Sequence, residues 1–207
     1  MLQIDATKPK LIYHSQDGAP FHEQRQRPHT TCRARWRGQI PACSQVLSTA
    51  SDVFAAVFSD CFAEGQNLSA SDPKVITLPD DDAEAMRTVV DTLHFRDPDF
   101  RATPDLQELL NIARSVDKYQ ITSAVVYPSY TWLSIIDKGR FENCVSLVVA
   151  SYLMRDTESF RRHTRRLVMG HRWHAGNLIE ALNNHSCMTA DFLLKVVWEY
   201  HGQDRSI

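Results

Sequence analysis

The sequence predicts an α+β fold, in which a helical cluster carries a small sheet and is followed by a mainly helical extension. Three observations support that expectation. Apolar residues recur at three- and four-residue intervals from Leu47 to Cys61, the spacing that stacks side chains on one face of a helix. Residues Val75 to Leu78 alternate Ile76 and Leu78 against Val75 and Thr77 and are stopped by Pro79, the pattern of a short strand. From Phe141 onward the helical spacing returns. The organisation expected is therefore an irregular or disordered segment over residues 1–43, a domain over 44–136 and a helical extension over 137–207.

The first segment carries little apolar periodicity, and from His22 to Cys43 it scatters Arg25, Arg27, Arg33, Arg35 and Arg37 among Gln, His and Pro. In the first helix Leu47, Ala50, Phe54, Val57, Phe58 and Cys61 form the face to be buried. Ser48 or Ser51 can cap its start, and Gly65 can adopt the left-handed conformation that ends a helix. Cys61 on that face reads as a small buried hydrophobe. A polar loop from Gln66 to Lys74 precedes the strand. The run Asp80-Asp81-Asp82-Ala83-Glu84 then marks a helix start, with Asp81 capping, Glu84 reaching back and the helix dipole favouring both. Ligands from one consecutive run rarely converge on a cation, so these aspartates are read as a cap and not as a metal site. Met86, Val89, Val90 and Leu93 form the stripe that follows.

Thr103-Pro104 supplies a cap and a proline at the first helical position, ahead of Leu106, Leu109, Leu110, Ala113 and Val116 at helical spacing. That helix ends near Asp117-Lys118-Tyr119, where Tyr119 is expected to bury its ring and bond a backbone group while Lys118 stays solvated. A helix over 121–136 contains Pro128, which removes a backbone donor and predicts a kink or break. Farther on, Val145, Val148, Val149 and Tyr152 make one stripe, and Phe160, Leu167 and Val168 make a sparser one ended by Gly170. Thr189 caps a last helix with Phe192, Leu193, Val196, Val197 and Tyr200 inward.

A net charge of −2, from 23 basic and 25 acidic residues, gives no global field toward nucleic acid or an anionic membrane. No apolar run approaches the ~18 residues of a membrane span, and Leu2 to Leu11 lacks the apolar block of a secretory signal, so the cytosol or nucleus is expected. Five scattered cysteines, Cys32, Cys43, Cys61, Cys144 and Cys187, are odd in number and argue against a disulfide framework.

Residues that could carry chemistry form no convincing site. His163, His171 and His174, with His185 and Cys187 beyond, lack the paired cysteines of a recognised zinc spacing. There is no G-x-S-x-G elbow, no H-E-x-x-H and no glycine-rich phosphate loop, so no cofactor, metal or catalytic residue is expected. Arg161, Arg162, Arg165 and Arg166 line up at i, i+4 spacing, which is either a solvated basic face or a phosphate-contacting ridge. With the arginines around Trp36, they support the alternative of a regulatory protein whose basic segments contact nucleic acid.

Five pieces occur in order: Val46 to Phe54, Phe62 to Gly65, Ile76 to Asp82, Leu93-His94 and Asp117-Lys118-Tyr119. Together they resemble the BTB/POZ family, particularly its fungal members. The resemblance covers residues 44–136, is looser over the C-terminal third and hardly touches the first 40. It implies a protein-interaction module that binds rather than turns over a substrate, with protein partners and a homodimer among the expectations. It also implies two alternating strands before the first helix. Only Gln39-Ile40 and the approach Ser44-Gln45-Val46 hint at one of them, so these strands are expected to be missing or replaced. Finally, Phe62-Ala63-Glu64 matches the hydrophobic-x-acid motif with which ubiquitin-ligase adaptors of the family engage a cullin scaffold. Phe62 either projects as that anchor, with Glu64 setting register, or completes the core stripe one position after Cys61.

Overall fold

In a computed structural model of the chain, the residues described are 10–14, 39–67, 74–96, 104–134, 141–170 and 180. They fall into two compact units, residues 1–99 with 118–125 and residues 100–117 with 126–207.

Among the described residues, the first unit holds a three-stranded sheet and three helices. Strand β1 (Lys10–His14) lies between β2 (Gln39–Cys43) and β3 (Lys74–Thr77). It runs parallel to β2, with Leu11 opposite Ile40, and antiparallel to β3, with Leu11 opposite Ile76. Parallel strands need a connection of about a dozen residues or more, and the two strands are far enough apart in the sequence to allow it. Two strands therefore stand where the sequence suggested an irregular segment without them. Each is five residues long, and the hydrogen bonds that make it a strand come from distant chain. The arginines from Arg25 to Arg37 lie outside the described residues. In β3 the expected alternation holds, with Lys74 and Ile76 half-buried and Val75 and Thr77 exposed.

The expected first helix is two helices, α1 (Ser44–Ala50) and α2 (Asp52–Val57). They break at Ser51, whose backbone is extended at φ −150°, ψ 121°. Its hydroxyl oxygen accepts the Phe54 amide at 3.0 Å and its proton goes to the Tyr119 carbonyl at 2.5 Å. A buried serine with both bonds satisfied outweighs one more turn of continuous helix. Leu47, Phe54 and Phe58 are buried as the stripe required. Cys61 is exposed, because α2 ends at Val57 and the helical period never reaches it.

Helix α3 (Ala83–Leu93) buries Met86, Val89, Val90 and Leu93, and its cap is Asp82, which accepts the Ala85 amide at 2.9 Å. Asp81, expected to cap, is used elsewhere. At the other end His94 joins the helix to the sheet. Its Nε2 accepts the Cys43 amide and its Nδ1 donates to the Val90 carbonyl, both at 2.8 Å. Arg96 adds a 2.6 Å bond to the Pro41 carbonyl. Phe95 between them sits at φ 52° with its amide bonded to Thr92 and the Arg96 amide to Asp91, the Schellman ending in which glycine is usual. A chain with seven glycines also places Gln120 and Arg155 at such positive φ, at a cost of about 1 kcal/mol each.

Helix α4 (Leu106–Lys118) belongs to the second unit up to Asp117. Its start is capped by Asp105, which accepts the Glu108 amide at 2.9 Å, rather than at Thr103-Pro104; Thr103 lies outside the described residues. Leu109, Leu110, Ala113 and Val116 are buried. Helix α5 (Val126–Trp132) is shorter than the helix expected over 121–136, and Pro128 falls in its first turn, where a missing N–H costs nothing. Helices α6 (Phe141–Leu153) and α7 (Thr157–Gly170) form a hairpin. Its turn places Arg155 at positive φ, and Asp156 caps α7 by accepting the Ser159 amide at 3.0 Å. Every residue from Cys144 to Ser151 is buried, so α6 is covered all round and Tyr152, 43% exposed, leaves the expected stripe. The helix expected after Thr189 lies outside the described residues. Among the described residues, no helix is long and apolar enough to cross a membrane.

Two outcomes are expected. Phe54→Ala or Phe58→Ala should each cost about 3–5 kcal/mol, read as a lowered melting temperature, since both rings are buried and cannot be replaced by local collapse. The second concerns His163 on α7, buried and donating from Nε2 to the Leu133 carbonyl at 3.0 Å. Burial lowers its pKa below the ordinary 6.5; Arg162 and Arg166 add to this, while the Leu133 bond and Asp156 oppose it. The unfolded chain therefore holds the extra proton just below pH 6.5, so the contribution is full above that value and is lost as pH falls through it. Urea unfolding at about pH 7.5 and about pH 5.5 should show a smaller acid loss for His163→Gln than for the unmodified chain.

Candidate functional site

The candidate site is the turn from Phe58 to Asn67, and the layer beneath it explains its shape. Phe54 stacks on Tyr119 with centroids 4.5 Å apart and 5° between planes, and on Phe58 at 5.9 Å and 13°. Tyr119 is held at both ends. Its carbonyl accepts from Ser51, and its hydroxyl donates to Asp81 Oδ2 at 2.7 Å. Lys118 Nζ lies 2.9 Å from each Asp81 oxygen. The sequence suggested a backbone partner for the Tyr119 hydroxyl, which meets the inward-facing Asp81 instead; Lys118 stays exposed, as expected, with its amino group on the same carboxylate. Burial, reinforced by the Asp81 hydrogen bond, pushes the Tyr119 phenol far up, so it remains a protonated donor. Lys118 and Tyr119 are thus structural.

This stack fixes Phe58, and the turn is built on the Phe58 carbonyl. Three reversals follow in succession, with amides of Ser59, Phe62 and Gly65 bonding the carbonyls of Ala56, Ser59 and Phe62. Gly65 is buried against this backbone. A β-carbon there would collide with the Ser59 carbonyl oxygen and lie 2.5 Å from the carbonyl carbon and oxygen of Phe58. Glycine is needed for close approach and not, as expected, for a left-handed helix end. From the far side Lys74 Nζ donates to the carbonyls of Ala63, at 2.8 Å, and Gln66.

What the turn presents is an aromatic and an acid. Phe62 is 52% exposed and Glu64 is exposed, so Phe62 does not complete the core stripe. Beside them Ala63, Glu64, Lys74, Val75 and Ile76 line a shallow open groove of about 250 Å³. A projecting ring next to a carboxylate on a braced turn suits docking to a protein surface, where a central aromatic anchors and a rim charge sets register.

The other residues singled out in the sequence do not join this turn. His163 is engaged by Leu133, while His171, His174, His185 and Cys187 lie outside the described residues. Within the basic run, Arg161 pairs with Glu158 at 3.0 Å, and Arg162 donates to Ser159 at 2.9 Å and to Leu133 at 3.4 Å. Sequence reasoning missed the part played by Lys74, Asp81 and His94. None carries a local signal, since each acts on chain 8 to 51 residues away.

A helical cluster on a three-stranded sheet, with an aromatic and an acid displayed on a rigid turn, has the build of a protein-interaction module. A family model for the BTB/POZ domain matches residues 21–127, just over half of the chain, and the chain belongs to that family. No curated protein matches it.

The bracing of the turn has a direct consequence. Gly65→Ala should destabilise the protein by about 1–3 kcal/mol in thermal or urea melts, because the backbone facing Gly65 cannot yield as a side chain would.

Proposed function

We propose that this BTB/POZ chain is an adaptor that grips a cullin-type ubiquitin-ligase scaffold through Phe62 and Glu64 and that also self-associates. Its role is binding and not catalysis. The observation that carries the reading is the 52% exposure of Phe62 on a turn held by Gly65 and Lys74. An aromatic displayed on a preformed turn loses little conformational entropy on binding, which is what makes it effective as an anchor. Glu64, two residues on, supplies a carboxylate for a charge-assisted hydrogen bond at the rim.

Glu64→Lys is the test that leaves the fold alone, since the side chain is exposed. Binding to a purified cullin N-terminal region should weaken roughly tenfold with the melting temperature unchanged, and Phe62→Ser should abolish it. Unaltered affinity in Glu64→Lys, or no binding by the unmodified chain, would remove the adaptor reading.

A further inference from the structure

Two side chains at the end of α3 hold β2, and only one of them titrates near neutral pH. Arg96 donates to the Pro41 carbonyl at 2.6 Å, and its guanidinium keeps its charge throughout. His94 accepts the Cys43 amide on Nε2 at 2.8 Å. That bond fixes the tautomer of the ring. A backbone amide can only donate, so Nε2 carries no proton, and the proton of the neutral imidazole sits on Nδ1, 2.8 Å from the Val90 carbonyl. The residue held in this way lies where strand becomes helix: Cys43 ends β2 and is buried, Ser44 opens α1, and the Cys43 side chain makes no cap bond. An imidazole ordinarily takes up a second proton at about pH 6.5, and this one cannot do so and keep its grip on the amide.

We propose that His94 is a pH-sensitive latch: protonation of its ring releases the Cys43 amide and frees the junction of β2 with α1, while Arg96 keeps hold of Pro41. A proton on Nε2 turns the acceptor into a donor, so two N–H groups meet and the amide of a buried residue is left without its partner. The bond to the Val90 carbonyl survives, because Nδ1 donates in both forms of the ring. The ring therefore stays on α3 and the junction moves. Arg96, two residues farther along strand β2 at Pro41, does not titrate, which confines the opening to Cys43 and the start of α1. Helices α1 and α3 and strand β2 pack on one another around the latch. On the segment of His94 itself the charged groups are Asp91 and Arg96, opposite in sign and 3.9 Å apart. Strand β2 adds the Cys43 thiol, and α1 carries no ionisable side chain. Beyond β2, β1 brings Lys10, Tyr13 and His14, with His14 opposite Cys43 in the register. The latch does not rest on the adaptor reading, since the turn at Phe62 is built on the Phe58 carbonyl and braced by Lys74.

The experiment is NMR of the full chain, following the ring nitrogens of His94 and hydrogen exchange at the Cys43 amide, corrected for the intrinsic effect of pH. At about pH 7.5 Nε2 should show the shift of an unprotonated nitrogen. On going to about pH 5.5 the ring should titrate and exchange at Cys43 should quicken roughly tenfold, while the amides of Val89 and Val90 within α3 stay protected. His94→Gln keeps an oxygen to accept the amide and does not titrate, so its Cys43 exchange should be the same at both pH values. His14→Gln and His163→Gln should respond as the unmodified chain does. A proton on Nε2 at the higher pH, Cys43 protection unchanged through the titration of the ring, or a ring that stays neutral until the whole chain unfolds would each overturn the latch in the unmodified chain, whether or not His94→Gln folds. Equal quickening in a folded His94→Gln, or its loss in His14→Gln, would overturn it as well.

Discussion

Tyr119 is the residue on which the first unit depends, because three different interactions converge on it. Its ring carries the stack that positions Phe54 and Phe58, its carbonyl takes the Ser51 hydroxyl that separates α1 from α2, and its hydroxyl binds the inward-facing Asp81 at the start of α3. These bonds tie together chain 38 to 68 residues apart. A buried hydrogen bond to a charged acceptor is costly to leave half-made, so the three contacts favour a single arrangement of the helices around them.

The turn at Phe62 and Glu64 inherits its shape from that arrangement. Phe58 is the last ring of the stack, and its carbonyl is the surface against which Gly65 closes. Buried packing thus reaches the exposed aromatic through two backbone contacts. A turn braced in this way presents its side chains without having to order itself on binding, which distinguishes it from an exposed loop of similar composition. Lys74 links this turn to the sheet: from the start of β3 its amino group braces the turn through the carbonyls of Ala63 and Gln66.

Helix endings show a second economy. With few glycines, the chain closes α3, α4 and the α6–α7 turn with Phe95, Gln120 and Arg155 in the left-handed region. Each accepts strain, and at Phe95 and Arg155 the closing amides satisfy the terminal carbonyls. Asp82, Asp105 and Asp156 supply the starts. Propensity is weak at these ends, and capping bonds compensate.

Much of the helical core was legible in the sequence, because a buried helix face announces itself within a dozen residues. Leu47, Phe54, Phe58, Met86, Val89, Leu109 and Val116 are buried where their spacing required, and the strand at Val75 to Thr77 alternates as its pattern indicated. The ordered pieces from Val46 to Tyr119 pointed to the BTB/POZ family that a family model matches over residues 21–127. What the sequence could not decide were matters settled by chain far away. β1 exists through its pairing with β2 and β3, Asp82 rather than Asp81 caps because Tyr119 and Lys118 claim the other carboxylate, and Gly65 is required by the Phe58 carbonyl packed against it. Whether Phe62 faced the core or solvent turned on where α2 stopped, and that was set by the capping and stacking of buried groups, which a local period does not record.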